Sequence, residues 1–175
     1  SRIKKDGSWS NIVSAKYYKT DNIKSIKIKS KYANQYAAAG EKTLIDNLRG
    51  GENYRTGNWQ GYREDLIATI DLGKEKNVSL ISLGCMQDIK SWIFFPKKVE
   101  YFSSANGIDF NYIGSINTTF SDSLEGSFIN DYTIEFQKKK AQYIKIRAIN
   151  YGYCPNWHLG AGGKTWLFVD ELKIE

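Results

Sequence analysis

The sequence predicts an all-β domain, an antiparallel β-sandwich, and three features of its 175 residues support that prediction. Short runs rich in apolar and β-branched residues recur along the chain, with turn residues between them. No segment has the periodicity of an amphipathic helix beyond a turn or two near residues 40–48. Asn106-Gly107 lies between two such runs and is the strongest short-range hairpin signal in the chain.

The predicted strands follow one another with turns between them. The first is an apolar run that ends at Gly73, and a run rich in β-branched residues comes next. Two further runs flank the Asn106-Gly107 turn as the arms of a hairpin. Near the end of the chain, polar Lys145 and Arg147 alternate with Ile144 and Ile146, which predicts one buried and one solvated face. The predicted strands are 66–72, 78–83, 98–103, 110–116, 132–136, 142–149 and 165–174.

The charge of the chain is distributed unevenly, and this distribution predicts the domain boundary. Residues 1–31 carry nine Lys or Arg against two Asp, whereas residues 32–175 carry sixteen basic against seventeen acidic residues. We therefore expect residues 1–31 to be a linker or the trailing strand of a preceding domain, and residues 32–175 to be the sandwich. A nearly neutral body argues against nucleic acid as a partner, because such binders carry a basic stripe on their folded face.

The sequence shows no targeting signal, and its two cysteines do not indicate a metal site. The sequence has no run of about 18 apolar residues, so no membrane span is predicted. Residues 1–20 lack the apolar region of a signal peptide, and the start of the chain looks like a piece of a longer polypeptide. Cys85 and Cys154 have no metal-site spacing; they form either one disulfide or two free buried thiols.

The most informative stretch for function is residues 154–171. It contains Trp157, Trp166, the only histidine (His158) and three glycines, and then continues into a strand that ends in Asp170 and Glu171. Glycine allows close approach of the backbone to a ligand, and flat aromatic rings beside hydrogen-bonding groups suit a polar, ring-shaped ligand. The stretch therefore predicts a binding loop on a β scaffold.

Several fragments in order resemble the F5/8 type C (discoidin-like) family, in particular carbohydrate-binding module family 32. The fragments are 44–46 (Leu-Ile-Asp), 56–59 (Thr-Gly-Asn-Trp), 70–73 (Ile-Asp-Leu-Gly), 99–110 and 170–174. The chain also resembles the C-terminal domains of bacterial family 20 β-N-acetylhexosaminidases, through residues 36–41, 54–61, 91–96 and 157–163. The resemblance implies a discoidin-like jelly roll and a non-catalytic module of an exported glycoside hydrolase, extracellular or periplasmic. The chain departs from the family in the insertion at 49–54, which separates Asp46 from Thr56.

The resemblance also implies a structural Ca²⁺ ion. Asp46 and Glu171 would supply carboxylates, Thr56 a hydroxyl and carbonyl oxygen, and the 42–51 segment further carbonyls. This oxygen-rich set is what Ca²⁺ requires. The alternative is that Asp46 caps a turn and Glu171 faces solvent.

The glycan site is expected on loops that converge at one end of the sandwich. Aromatic rings would pack on the apolar face of a sugar, while polar side chains would orient its hydroxyl groups. The alternative for each aromatic residue is simple packing; Trp59 is predicted in the core, and Trp166 in the core or at the rim. The predicted glycan contacts are Gln60, Asp88, Trp92, Phe94, Trp157 and His158.

Catalysis is not expected. The sequence has no Gly-x-Ser-x-Gly motif and no nucleophile paired with a base, while Glu64-Asp65 and Asp170-Glu171 are adjacent residues that point to opposite faces of a strand. We favour a module that binds terminal galactose or N-acetylhexosamine. The main alternative is an interaction module that packs on the catalytic domain without binding free sugar. Binding of anionic lipid through Phe94 and Phe95 is a third, weaker hypothesis.

Overall fold

The structure is a computed structural model that describes residues 4–9 and 23–175. A short hairpin, β1 (Lys4–Lys5) with β2 (Ser8–Trp9), precedes the main body. The strands of the body are β3 (Ser25–Ile28), β4 (Gln60–Tyr62), β5 (Leu66–Asp88), β6 (Lys98–Ser104), β7 (Asn111–Asn117), β8 (Ser127–Ile149) and β9 (Leu167–Ile174). Four 3₁₀ turns lie at Asn34–Tyr36, Gly40–Ile45, Tyr54–Thr56 and Ile89–Ser91.

Two long strands, β5 and β8, pair antiparallel and pass from one layer of the fold into the other. The first half of β5 and the last half of β8 form one layer, in which the strand order is β3, β5, β8, β6, β7. The remaining halves form the second layer with the order β4, β9, β5, β8. The predicted all-β antiparallel sandwich is confirmed.

A single core fills the space between the layers. Alternate residues of β5 and β8, among them Leu66, Ile70, Ile144 and Ile146, contribute fully buried side chains to it. The alternation follows the two-residue repeat of a strand, whose opposite face stays partly exposed. No helix within the described residues is long and apolar enough to cross a membrane.

The strand predictions were right in type but divided the long strands. Residues 66–72 and 78–83 belong to one strand, β5. Gly73 (φ +78°) bends the strand but does not end it, since the chain continues in the sheet. Likewise, 132–136 and 142–149 are parts of β8. The Asn106-Gly107 turn does join two antiparallel strands, β6 and β7, and Gly107 has a φ of +74°.

The predicted start of the sandwich at residue 32 is wrong. Residues 25–28 form β3, which is hydrogen-bonded to β5 with Lys27 opposite Thr69. The weak alternation of Ile26 and Ile28 explains this pairing, because both side chains pack against the core. Lys24, Lys27 and Lys29 therefore lie on the folded body. The remainder of the 1–31 prediction falls mostly on residues outside the described ranges.

The two cysteines are buried and free. Cys85 lies in the main core, whereas Cys154 packs with Ile89 and Phe94 in a separate cluster. The structure thus agrees with the second of the two alternatives, a pair of buried thiols.

Ile144→Ala tests the shared core. Its side chain is fully buried between the layers, so we expect truncation to lower the free energy of unfolding by about 2–5 kcal/mol. Ile129→Ala on the same strand, where the side chain is 36% exposed, is expected to cost under about 1 kcal/mol. Chemical denaturation measures both; equal losses would contradict the placement of the core.

Candidate functional site

Two loops, residues 89–97 and 150–166, converge at the end of the sandwich where β5 ends. Phe94 N–H donates to the Trp166 carbonyl at 3.0 Å, and Trp166 N–H donates to the Trp92 carbonyl at 2.8 Å. Asp88 and Ile93 exchange two backbone hydrogen bonds that close the first loop. The two loops are therefore joined along their backbones, and we call this end of the sandwich the loop end.

The Trp92 ring packs directly against two glycines of the second loop, Gly160 and Gly163. A Cβ atom at Gly160 would lie 2.4 Å from the Trp92 ring, and one at Gly163 would lie 2.5 Å from it. Only glycine permits this approach. Trp92 has a left-handed φ of +64° and ends the 3₁₀ turn at Ile89–Ser91. Its side chain remains partly exposed. The glycines of this loop therefore position a tryptophan.

His158 fastens the second loop to the first. Its Nδ1 accepts from Gly160 N–H at 2.9 Å, so its Nε2 carries the proton and donates to the Ile89 carbonyl at 2.7 Å. The ring also makes edge contacts with Trp92 and Phe94. The residue is only 9% exposed, and both ring nitrogens that the prediction assigned to a sugar are occupied within the protein.

Two further predicted contacts are also buried. Phe94 has no exposed surface and stacks on Tyr151, with ring centroids 4.8 Å apart. Gln60 has none either; its amide nitrogen donates to the carbonyls of Ala37 and Gly40, and its oxygen accepts from Tyr62. These side chains cannot reach a glycan in this conformation, because packing and buried hydrogen bonds occupy them.

We call Asp88, Trp92, Tyr153 and Trp157 the rim, because these side chains of the loop end are exposed or partly exposed; Leu159 and Lys164 are exposed in the same loops. Trp157 is 51% exposed and Tyr153 is 60% exposed. The Asp88 carboxylate is partly exposed and accepts from Ser91 Oγ at 3.0 Å. Tyr153 begins the 153–163 stretch that the sequence indicated as a candidate loop, although it is not among the predicted glycan contacts.

The other tryptophans near the rim are packed. Trp59 is 1% exposed and its indole donates to the Gly51 carbonyl at 2.8 Å, which confirms its predicted place in a core. Trp166 is partly buried, and the Arg63 guanidinium lies 3.8 Å from its ring centroid. No pattern in the sequence indicates this cation–π contact, because more than a hundred residues separate the two side chains.

Asp46 and Glu171, the predicted metal carboxylates, do lie together. Glu171 Oε2 accepts from Asn47 N–H at 2.9 Å, whereas Oε1 is the only buried side-chain oxygen or nitrogen of the described residues without a hydrogen-bond partner. Burial and the nearby Asp46 carboxylate raise the pKa of Glu171 to about 8. Burial likewise raises the pKa of Asp46. Two facing carboxylates with an unpartnered oxygen suit a cation.

Thr56 is not joined to this pair. Its hydroxyl is exposed and donates to the Asn53 carbonyl at 3.0 Å, because the insertion folds into its own 3₁₀ turn. The described residues contain no cluster of three or more His, Cys, Asp or Glu side chains that could hold a metal. A cation at Glu171 would therefore depend on backbone carbonyls for most of its ligands.

Arg49 fixes the loop that carries Asp46. Its guanidinium bonds Asp170 at 3.1 Å and Asp131 at 2.6 Å, while Asp170 also accepts from Gly50 N–H. Asp170 is fully buried, and burial raises its pKa to about 6 despite the neighbouring Arg49. The loop is thus anchored on β9 beside Glu171.

No family model matches the sequence, and a comparison with curated proteins found no match. Solved structures share its fold. The CpGH89CBM32-5 module of Clostridium perfringens, in complex with GalNAc-β-1,3-galactose, has a TM-score of 0.56 at 19% identity and covers 86% of this chain and 93% of its own. CBM32-3 from a family 31 glycoside hydrolase of the same organism has a TM-score of 0.56 at 15% identity. It covers 90% of this chain and 93% of its own.

A third structure is the family 32 module of C. perfringens NanJ in complex with galactose, with a TM-score of 0.53 at 18% identity, covering 86% of this chain and 91% of its own. The chain therefore has the discoidin-like fold of family 32 carbohydrate-binding modules, as the resemblance predicted.

Gly163→Ala tests the packing of the Trp92 ring against Gly160 and Gly163. The added methyl group would overlap the Trp92 ring, so we expect a loss of about 1–3 kcal/mol in unfolding free energy and an altered near-UV circular dichroism spectrum. Gly51→Ala, where no atom lies within 4 Å of the new Cβ, is the matched control and is expected to change stability by under about 0.5 kcal/mol. Equal behaviour of the two variants would contradict the packing of Trp92.

Proposed function

We propose that this chain is a non-catalytic carbohydrate-binding module whose ligand contacts the rim. The observation that carries the proposal is the partly exposed Trp92 indole, held on glycine backbone beside the exposed Trp157. A rigid aromatic plane at the surface packs well on the C–H face of a sugar ring. The Asp88 carboxylate lies in the same loop and accepts hydrogen bonds from sugar hydroxyl groups.

The ligand class that we propose is a terminal galactose or N-acetylhexosamine. Two solved structures with this fold hold galactose or GalNAc-β-1,3-galactose, which supports the choice. The rim is open rather than enclosed, so affinity for one monosaccharide is expected to be weak, about millimolar. Attachment to a glycoside hydrolase would convert weak contacts into retention on a multivalent glycan surface.

The proposed parent is a secreted β-N-acetylhexosaminidase, extracellular or periplasmic, with this chain as its accessory domain. The sequence resemblance to the C-terminal domains of such enzymes supports the proposal, and the fold is shared with modules of C. perfringens glycoside hydrolases. The partners are then the glycan and the catalytic domain.

We also propose a structural Ca²⁺ ion at Asp46 and Glu171, with carbonyls of the 42–51 loop as further ligands. The unpartnered Glu171 Oε1 supports it, because a bound cation would satisfy that oxygen and offset the repulsion between the carboxylates. Its function would be to hold the 46–51 loop on β9; Thr56 would contribute only if its turn moved.

An interaction module is the second candidate. Leu159 is fully exposed next to the half-exposed Trp157, and such an apolar pair is also suited to burial against a neighbouring domain. Sugar titration of the isolated chain distinguishes the two functions, because only the first predicts saturable binding of free sugar.

Trp157→Ala tests the rim. Loss of one aromatic plane is expected to weaken binding of N-acetylgalactosamine or galactose roughly tenfold, or about 1.4 kcal/mol. Isothermal titration calorimetry or ligand-observed NMR measures the change. Ile108→Ala, 81% exposed in the turn at the opposite end of the sandwich, should leave affinity unchanged. Absence of sugar binding by the unaltered chain would refute the proposed function.

The proposed Ca²⁺ site is tested by thermal unfolding of the chain in the presence of Ca²⁺ and in the presence of a chelator. At a Ca²⁺ concentration of about 100 times Kd, we expect a stabilisation of about 2.7 kcal/mol, or a rise in Tm of about 5–10 °C. Glu171→Gln should abolish this rise, whereas Glu175→Gln on the exposed end of the chain should retain it. The proposal fails if both variants respond to Ca²⁺ alike.

A further inference from the structure

The outward face of the five-stranded layer is a concave groove that is lined by none of the rim residues. It encloses about 920 Å³ and is lined by β3, β5, β6 and β8, with Asn106 and Gly107 at one end. One row of side chains crosses the strands in register at its centre. Lys27 lies opposite Thr69, Thr69 opposite Lys145, and Lys145 opposite Phe102. We call this surface the sheet groove.

The lysines of the sheet groove are free of acidic partners, whereas its carboxylates are paired. Lys27 and Lys29 are exposed, and neither forms an ion pair with any residue that the structure describes. The Lys145 ammonium lies 4.7 Å and 4.2 Å from the ring centroids of Phe102 and Phe110. The groove therefore presents positive charge beside aromatic surface.

The acidic side chains of the groove are held by neighbours. Glu100 contacts Lys98 at 2.6 Å and Arg147 at 3.8 Å. Asp71 accepts from Gly73 N–H at 2.7 Å and from the Gln142 amide at 3.2 Å. These carboxylates reduce the density of positive charge, but they leave oxygen atoms that accept hydrogen bonds from a ligand.

The sheet groove continues into a second cleft that reaches the loop end. This cleft, of about 490 Å³, shares Lys29 and Ile67 with the sheet groove and is also lined by Arg63, Tyr153 and Lys164. The two together form one open trough. Its cationic side chains outnumber its carboxylates, and the carboxylates of the second cleft are partnered: Asp65 pairs with Arg147, and Glu64 accepts from Lys31 N–H. A trough of this length fits a chain molecule better than a single sugar.

We propose that the trough binds an anionic polysaccharide, a chain that carries carboxylate or sulfate groups together with free hydroxyl groups. The lysines and Arg63 pair with its acidic groups, and the exposed hydroxyls donate to the Asp71 and Glu100 oxygens. Single-stranded DNA fits less well, because its sugar–phosphate chain has no hydroxyl groups that could donate to these carboxylates. The trough meets the rim at Tyr153, whereas its Lys27 and Lys29 lie away from the rim.

The test is binding of the full chain to polygalacturonate, which carries carboxylates, and to chondroitin sulfate, which also carries sulfates, over a range of salt concentrations. At least one is expected to bind, with affinity that falls as salt rises. The K27E/K29E variant should lose at least about tenfold in affinity, because two attractive contacts become repulsive. K27Q/K29Q should lose less, and galactose binding should not change in either variant.

K138E/K139E is the matched control, since it makes the same change in net charge at exposed lysines outside the trough and should keep affinity within about twofold. Circular dichroism shows that each variant is folded. The proposal is overturned if neither polysaccharide binds, if K138E/K139E loses as much affinity as K27E/K29E, or if oligothymidylate binds and the acidic polysaccharides do not.

Discussion

The antiparallel pairing of β5 with β8 is the interaction on which the rest of the structure depends. Each strand takes part in both layers, so their shared register fixes which residues face the core and how the layers are placed. Ile70 is paired with Ile144 in one layer and Leu83 with Tyr132 in the other, and all four are buried. Burial of apolar surface along this one ribbon supplies the common core and brings the connecting loops to defined ends.

The loop end follows from that pairing. Because β5 ends at Asp88 and β9 begins beside it, the two functional loops leave the sheet as neighbours and bond along their backbones. Buried polar groups then set their shape: His158 uses both ring nitrogens, and Trp92 lies against glycine. Side chains that fix the loops are unavailable to a ligand, so the rim consists of side chains that the fixed loops leave at the surface.

Sequence patterns predicted the type of fold, because alternation and turn residues act locally; the strand at 142–149 and the Asn106-Gly107 hairpin are examples. They did not predict that β5 continues beyond Gly73 or that residues 25–28 join the sheet, since both depend on long-range pairing. Trp92 and Trp157 lie at the loop end and stay predicted glycan contacts, whereas Phe94, Gln60 and His158 were not recognised as buried. Each of these side chains has a distant partner that no spacing reveals: Gln60 donates to the Gly40 carbonyl 20 residues away, and His158 donates to the Ile89 carbonyl 69 residues away.

The most direct measurement is the perturbation of tryptophan indole N–H signals in a ¹⁵N–¹H NMR spectrum as N-acetylgalactosamine or galactose is added. The chain has five tryptophans, and each gives one such signal. A sugar at the rim shifts the signals of Trp92 and Trp157 in a saturable manner and leaves that of the buried Trp59 in place. If saturating sugar moves neither rim signal, the loop end is not a carbohydrate site.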